Sequence, residues 1–89
     1  MKEFTFSTDA WNDYLYWQSQ DKKTVRRINI LLKDIQRDYF IGIGDPEALK
    51  HGEFKGKWSR RIDTKNRLVY EILSNGDIRV IQCKGHYDD

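Results

Sequence analysis

Apolar and polar residues follow two different rhythms along the first part of the chain. Residues 2–6 place their two phenylalanines on one side, which is the two-residue period of a β-strand. The hydroxyl and carboxylate side chains of residues 7–9 are typical helix N-caps, and the spacing that follows predicts a first helix ending near residues 19–20. The apolar row of this helix is Trp11, Tyr14 and Leu15, with Gln18 next in the row.

A second helix is predicted directly after the first, with Asp21 as its N-cap. Apolar side chains recur along one face of it, whereas its lysines and arginines occupy other faces. The connection is so short that the two helices are expected to form an antiparallel hairpin. The apolar face consists of Val25, Ile28, Leu31, Leu32 and Ile35.

The middle of the chain reads as two loops around a short helical turn. Two glycines followed by the only proline indicate a loop over residues 39–45. Pro46 is suited to the first position of a helix, so one helical turn is predicted over residues 47–50. A second loop is expected over residues 51–56.

Three strands are predicted in the second half, at residues 57–63, 67–74 and 77–84. Asn75-Gly76 between the last two is the strongest hairpin signal in the sequence, because both residues tolerate a positive φ. The expected fold is α+β, a single domain over residues 1–89. An N-terminal strand and the two-helix hairpin pack on a twisted antiparallel sheet in the order β-α-α-β-β-β.

The turns set the register of these strands and so decide the face on which each side chain lies. A two-residue turn at Asn75-Gly76 puts Val69 opposite Gln82, and a three-residue turn puts Asp63 opposite Arg67. One face then carries an apolar set suited to packing under the helices: Trp58, Ile62, Leu68, Tyr70, Ile72, Ile81 and Cys83. The other face carries a polar set: Ser59, Arg61, Arg67, Gln82 and Lys84, with His86 beside Arg67.

Arg60 does not fit this pattern, because the same register points it toward the apolar face. One expected outcome is that Arg60 lies at the sheet margin with its tip in solvent. The other is that a bulge near Lys57 turns it outward.

Positive charge is concentrated in one segment. The 89 residues carry a net charge of +2, whereas residues 50–67 hold seven lysines and arginines against two acids, a net charge of +5. A dense cationic segment of this kind indicates a site for a polyanion, with nucleic acid as the foremost candidate.

The remaining composition restricts the class of protein. A single cysteine excludes an intramolecular disulfide, and no apolar run approaches the length of about 20 residues that spans a bilayer. No basic-then-apolar leader opens the sequence, so a cytoplasmic protein without membrane association is expected. A domain of this size is marginally stable alone, which favours a stabilising partner or a dimer.

Three side chains have the chemistry needed to cleave RNA without a metal. A carboxylate, Glu47, can take the proton of a 2′-hydroxyl; Arg67 can stabilise the charge on the pentacoordinate phosphorus; and His86 can protonate the leaving 5′-oxygen. No Cys/His pairing or carboxylate cluster indicates a metal site, and no cofactor is expected. Further cations are candidates for binding neighbouring phosphates: Lys50, Arg60, Arg61 and Lys84.

Each candidate also has an ordinary structural explanation. Glu47 would suit the positive end of a helical turn as a first-turn carboxylate. Arg61 and Arg67 would serve as solvated strand charges. His86 would be an exposed residue near a chain end, and Tyr87 would cover an edge of the core instead of stacking on a base.

Five segments taken together resemble the YoeB/Txe toxins of the RelE superfamily. Each segment alone is a weak signal, but they occur in order, with similar spacing, over nearly the whole chain. The segments are residues 11–17, 46–50, 58–62 and 67–70 and the pair His86-Tyr87.

The resemblance implies a microbial ribonuclease fold and a toxin of a type II toxin–antitoxin pair that cleaves mRNA on the ribosome. Glu47 matches the family's general base, Arg67 its phosphate-stabilising arginine and His86 its general acid. Tyr87 matches the terminal tyrosine at the site, and three cations match positions that bind RNA or orient the catalytic groups: Lys50, Arg60 and Arg61. The resemblance also implies a homodimer that the disordered tail of a YefM/Axe-like antitoxin neutralises.

The sequence departs from the family pattern at its end. Family members commonly stop at the tyrosine, whereas Asp88 and Asp89 follow here. Two acids near the site would favour a protonated His86 or repel phosphate. Gly85 would make this end more flexible.

Two other functions compete with the nuclease. One is a non-catalytic toxin similar to the gyrase-poisoning ParE branch of the same superfamily. The other is a basic RNA-binding module without turnover, which would show only a salt-dependent affinity.

Overall fold

The computed structural model describes residues 2–87, in which two helices pack on a five-stranded mixed sheet. In chain order the elements are β1 (Phe4–Phe6), α1 (Thr8–Gln20), α2 (Lys22–Arg37), β2 (Glu47–Ala48), β3 (Trp58–Arg61), β4 (Arg67–Ile72) and β5 (Ile78–Gln82). The sheet order is β1-β5-β4-β3-β2. This architecture confirms the predicted α+β class. Neither helix in the described range is long and apolar enough to cross a membrane.

The helix boundaries follow from their caps. The Ser7 side chain accepts a hydrogen bond from the Ala10 N–H, which starts α1 at the predicted place. Asp21 ends α1 through a bond from its N–H to the Trp17 carbonyl, and its carboxylate accepts from Lys23 N–H to start α2. One residue therefore joins the two helices, as the predicted hairpin requires.

The two helices differ in how well their apolar spacing predicts the buried face. In α2 the predicted row is buried over four positions: Ile28, Leu31, Leu32 and Ile35. In α1 the row is buried only in part: Tyr14 packs against the core, whereas Trp11 and Leu15 are 49% and 42% exposed. Ala10 and Trp17 face the sheet instead, where the Trp17 indole Nε1–H donates to the Cys83 carbonyl at 2.8 Å. The small side chain of Ala10 lets α1 lie close to β5.

β1 makes the sheet mixed instead of wholly antiparallel. It pairs in parallel with β5, with Phe4 opposite Ile78 and Phe6 opposite Val80. The first strand of the described residues is thus paired with the last one. The helical hairpin occupies the connection that leads away from β1 and covers the core face.

β2 corrects the prediction of a helical turn over residues 47–50. Glu47 lies opposite Ser59 and Ala48 opposite Trp58, in an antiparallel pair with β3. The edge of β3 offers backbone groups that need hydrogen-bond partners. A single helical turn, in contrast, gains only one hydrogen bond for the conformational entropy that is lost in ordering the backbone of a whole turn. Pairing with β3 therefore wins, and it brings Glu47 onto the sheet.

The β4–β5 hairpin keeps its predicted pairing but not its predicted turn. Val69 lies opposite Gln82, as predicted. The turn nevertheless contains three residues instead of two, because Leu73 N–H donates to the Asp77 carbonyl. A bulge beside Val69 absorbs the difference.

The three-residue turn and the bulge together decide which residues of β5 reach the core. Ile78 and Val80 are fully buried, and Cys83 returns to the core after the bulge. The prediction that Ile81 belongs to the core is therefore wrong, and its side chain is half-buried. One extra residue on a strand shifts the alternation of every side chain beyond it.

The β3–β4 turn is wider than predicted. Arg61 lies opposite Arg67, so the prediction that Asp63 occupies this position is wrong. The Asp63 carboxylate instead accepts hydrogen bonds from the backbone N–H groups of Lys65 and Asn66, both at 2.7 Å, which closes the turn. The register differs by two residues, so the side chains keep their predicted faces.

Burial makes the thiol of Cys83 unreactive. The side chain is 0% exposed, and burial raises its pKa to about 12. We expect Ellman's reagent to react with native protein at about pH 8 at least a hundredfold more slowly than with free glutathione, because the thiolate is the reacting species. Reaction should reach the glutathione rate in guanidinium chloride. A fast native reaction would contradict this burial.

Candidate active site

A cleft of about 160 Å³ opens on the face of the sheet opposite the helices, with room for roughly five water molecules. Strands β2, β3 and β4 form its floor, and the segment after β5 closes one side. Seven residues line it: Asp45, Glu47, Ser59, Arg61, Arg67, His86 and Tyr87. The structure thus brings together five of the candidates named from sequence.

Arg61 and Arg67 form a like-charge pair across the cleft floor. They lie directly opposite each other on β3 and β4. Like charges in opposed positions are destabilising in a sheet unless something between them compensates. Neither guanidinium has a carboxylate ion-pair partner among residues 2–87. The pair is therefore suited to binding an anion.

The guanidinium of Arg67 is held from one side. Its Nη1 donates to the carbonyls of Asp63 at 2.7 Å and Asn66 at 3.1 Å. The Asp63 carboxylate accepts hydrogen bonds from the turn and from the Asn66 side chain at 3.0 Å, and it forms no ion pair with Arg67 in the described part of the chain. The remaining donors of the fork can meet the two oxygens of a phosphate.

Hydrogen bonds fix the segment that carries the last two cleft residues. Gly85 has a φ of 85°, its N–H donates to the Asn66 side chain at 2.7 Å, and its carbonyl accepts from Arg67 N–H at 3.0 Å. The Tyr87 hydroxyl shares a hydrogen bond of 2.7 Å with the Ser59 hydroxyl. Gly85 therefore forms a turn that is hydrogen-bonded on both sides to the segment at the start of β4. Asp88 and Asp89 lie outside the described residues.

The ring of His86 has one nitrogen available for proton transfer. Its Nδ1 lies 2.9 Å from the Tyr87 carbonyl. A carbonyl oxygen only accepts, so this contact requires the proton on Nδ1. Nε2 is then the nitrogen that can exchange a proton with a bound molecule, and the exposed ring allows access to it.

Two predicted cations lie away from the cleft. Lys50 is exposed just beyond β2 and is not among the cleft residues. The Nζ of Lys84 sits 4.3 Å from the ring centre of Tyr16 and borders a different groove. These two side chains can reach only parts of a ligand that extends beyond the cleft.

Arg60 corrects both expectations stated for it, since it neither escapes to solvent nor turns outward. Its side chain is 0% exposed and forms an ion pair with Asp34 of α2 at 2.5 Å. Because the guanidinium is buried, it is not accessible to a phosphate group in solvent. The sequence shows an acidic residue at position 34, but strand alternation alone gives no reason to pair it with Arg60.

Asp34 makes stability depend on pH in acid. Hydrogen bonds from Arg37, from the Ile43 N–H and from Arg60 hold the pKa of Asp34 well below its ordinary value of 3.8. The contribution of the ionised carboxylate is therefore complete above that ordinary value and is lost as the pH falls toward the lower folded-state pKa.

We expect Asp34→Asn to flatten this acid dependence. Between about pH 5 and pH 2.5 the free energy of unfolding should fall less in the variant than in the wild type. Urea unfolding followed by tryptophan fluorescence measures it. Asp9→Asn, an exposed residue of α1, is the control and should keep the wild-type slope. Equal slopes for wild type and Asp34→Asn would contradict the prediction.

Sequence reasoning missed one cleft residue and one contact. Asp45 lines the cleft with a φ of 49°, a conformation rare outside glycine, and no pattern in the sequence marks it. Ser59 lies on the predicted polar face, but its hydrogen bond to Tyr87 depends on the turn at Gly85.

Comparisons with known proteins identify chains that are similar in sequence and in fold. Residues 6–87 match the family model described as a YoeB-like toxin of bacterial type II toxin-antitoxin systems. Toxin YoeB of Mycobacterium bovis is 47% identical over 87 residues, covering 98% of this chain and 100% of that protein. A chain of the heterotetrameric YoeB–YefM toxin–antitoxin complex from Staphylococcus aureus has a TM-score of 0.85 at 45% identity, covering 98% of this chain and 99% of that one. The YoeB dimer from the same species has a TM-score of 0.86 at 46% identity, covering 97% and 98%.

All seven residues that line the cleft fall inside the matched range. The match to relatives and structures also extends over nearly the whole chain. The chain belongs to the YoeB-like toxin family of bacterial type II toxin–antitoxin systems.

Proposed function

We propose that this toxin is an endoribonuclease that cleaves mRNA on the ribosome by metal-independent transesterification and so stops translation. The observation that supports it best is the convergence of Glu47, Arg67 and His86 on one cleft, although they come from three separate parts of the chain. A base, a cation and an acid around a space of this size match the needs of 2′-hydroxyl attack on a phosphate.

The proposed reaction balances without any further reactant. Glu47 takes the proton of the ribose 2′-hydroxyl, and the 2′-oxygen forms a bond to the adjacent phosphorus. The bond from phosphorus to the 5′-oxygen breaks, and His86 gives that oxygen a proton. The products are a 2′,3′-cyclic phosphate and a 5′-hydroxyl end.

The cations would divide the negative charge of the substrate between them. Arg67 would bind the two non-bridging oxygens of the reacting phosphate, and Arg61 opposite it would add to the positive field. Tyr87, fixed by Ser59, would bound the space next to His86. Lys50 and Lys84, outside the cleft, would meet neighbouring phosphates of the mRNA.

We further infer a homodimer and neutralisation by a YefM-like antitoxin. The structures from Staphylococcus aureus include both a YoeB dimer and a YoeB–YefM complex, and this chain is similar to both over nearly its full length. The chain also exposes large apolar side chains that a partner would cover, among them Trp11, Leu15, Phe40 and Ile41.

Mapping mRNA ends in a coupled translation reaction tests the nuclease. Added protein should produce new ends within the translated region, at positions set by the ribosome. The downstream fragments should carry 5′-hydroxyl ends, which ligate to an adaptor only after phosphorylation by a kinase. Fragments with 5′-phosphate ends would contradict the proposed chemistry.

The same reaction separates the two competing functions. A ParE-like gyrase poison would leave the mRNA intact and give linearised DNA in a parallel reaction with gyrase and plasmid. A binding module would retard RNA with strong salt dependence and yield no new ends. Either result would replace the nuclease proposal.

A further inference from the structure

We propose that Arg60 is a positioning residue for the cleft, which acts with Asp34 and Tyr70 to hold the loop of residues 38–45 and thereby the place at which β2 presents Glu47. This inference rests on the proposed function, because it assumes that Glu47 is the general base. Arg60 acts through the backbone, since its own side chain is 0% exposed.

One guanidinium binds both ends of the loop. Nη2 of Arg60 donates to the Asp38 carbonyl at 2.8 Å, and Nη1 donates to the Ile43 carbonyl at 3.2 Å. Nη1 also meets the Asp34 carboxylate at 2.5 Å, and Nε donates to the Tyr70 hydroxyl at 3.3 Å. The planar fork of arginine is the side chain that can hold several acceptors at fixed angles.

The partners of Arg60 contact the same loop themselves. The Asp34 carboxylate accepts a hydrogen bond from the Ile43 N–H at 2.9 Å. The Tyr70 hydroxyl donates to the Tyr39 carbonyl at 2.6 Å. Three side chains from different elements thus fix the loop backbone: the carboxylate of Asp34 from α2, the buried guanidinium of Arg60 from β3 and the phenol of Tyr70 from β4.

Two glycines let the loop lie this close to α2. A Cβ at Gly42 would stand 1.8 Å from the Asp34 carboxylate, and a Cβ at Gly44 would stand 2.8 Å from the Leu31 side chain. Both glycines have positive φ, at 150° and 79°. The close approach shows that the loop conformation is set by contact with α2.

The loop leads directly to the proposed base. The Gly44 carbonyl accepts from the Arg61 N–H at 2.6 Å, and Asp45 then turns the chain into β2. Glu47 follows and lies opposite Ser59. A shift of the loop therefore moves Glu47 on β2 relative to Arg67 on β4, with β3 between the two strands, and a displacement of about 1 Å is enough to reduce a rate a hundredfold.

A double-mutant cycle between Tyr70→Phe and Glu47→Gln tests the inference. Tyr70→Phe removes only the hydroxyl that holds the loop. It should lower the single-turnover rate of mRNA cleavage on purified ribosomes by about tenfold to a hundredfold. The protein concentration at half-maximal rate should change by less than about threefold. In the Glu47→Gln background, Tyr70→Phe should have almost no further effect, because the base it positions is gone.

Ile78→Val is the matched control for a general loss of stability. Ile78 is also fully buried, but on β5 next to β1, away from the loop. This control should lower the thermal midpoint and leave the cleavage rate unchanged well below that midpoint. A Tyr70→Phe effect of the same size in both backgrounds, or no effect on rate, would overturn the inference. A wild-type rate for Glu47→Gln would overturn the proposed function instead.

Amide hydrogen exchange gives a second readout that does not require activity. Tyr70→Phe and Asp34→Asn should both speed exchange at the Arg61 N–H, which donates to Gly44, while the Ile78 N–H keeps its wild-type protection. Asp34→Asn keeps the side-chain volume. If Tyr70→Phe does not fold, Asp34→Asn replaces it in both the double-mutant cycle and the hydrogen-exchange measurement. Unchanged protection at Arg61 in the folded variants would also overturn the inference.

Discussion

Replacing Glu47 with glutamine is expected to lower the rate of mRNA cleavage by about a hundred- to ten-thousandfold, the usual contribution of a positioned base. Glutamine keeps the size of the side chain and its place on β2 but cannot accept the proton of the 2′-hydroxyl. Single-turnover cleavage on purified ribosomes, followed by primer extension, measures the loss. The half-maximal concentration should change little, since the proposed reaction assigns the binding of the substrate phosphates to the arginines.

Glu3→Gln is the matched control for Glu47→Gln. It makes the same chemical change at an exposed position just before β1, outside the cleft. It should cleave at the wild-type rate. A Glu47→Gln protein that cleaves as fast as the control would remove the base from the proposed reaction.

Replacing Arg67 with alanine is expected to slow cleavage by about a hundred- to a thousandfold, or about 2.7–4 kcal/mol of transition-state stabilisation. The reason is geometric: the Asp63 and Asn66 carbonyls hold Nη1 of Arg67, so its charge is in place before the phosphorane forms. The same fixation means that little reorganisation is needed during the reaction. The single-turnover rate again gives the loss.

Arg79→Ala controls for the removal of one positive charge from the sheet. Arg79 is exposed on β5, opposite Glu71, and does not line the cleft. It should alter the salt dependence of binding at most and leave the cleavage rate near that of wild type. Equal losses for the two variants would mean that Arg67 contributes only general attraction for RNA.

The predictable parts of the fold are those that depend on neighbouring residues. Ser7 and Asp21 cap the helices through bonds within three residues, so the sequence around them specifies both starts. β2 could not be found in this way, because its extended conformation depends on hydrogen bonds to the edge of β3 and not on its own sequence. The bulge beside Val69 is equally hidden, since one extra residue leaves no mark on the alternation before it.

The candidate site likewise contains residues that the local sequence pattern places correctly and residues whose position depends on distant contacts. Alternation places Arg67 and His86 on one face, and the structure finds both at the cleft. The position of Glu47 and the burial of Arg60 depend on contacts between distant elements, of which the pair with Asp34 is the clearest. Strand alternation predicts the face of the sheet to which Arg60 points. It does not predict which carboxylate from another element pairs with it.

The parallel pairing of β1 with β5 has a consequence for biosynthesis. The two strands meet across a separation of 74 residues, and β5 is made after both helices and the other four strands. While β5 is still inside the exit tunnel, the nascent chain lacks the strand that joins β1 to the rest of the sheet, and it also lacks the histidine that follows. The nascent chain therefore cannot complete the sheet or the cleft until β5 has left the exit tunnel.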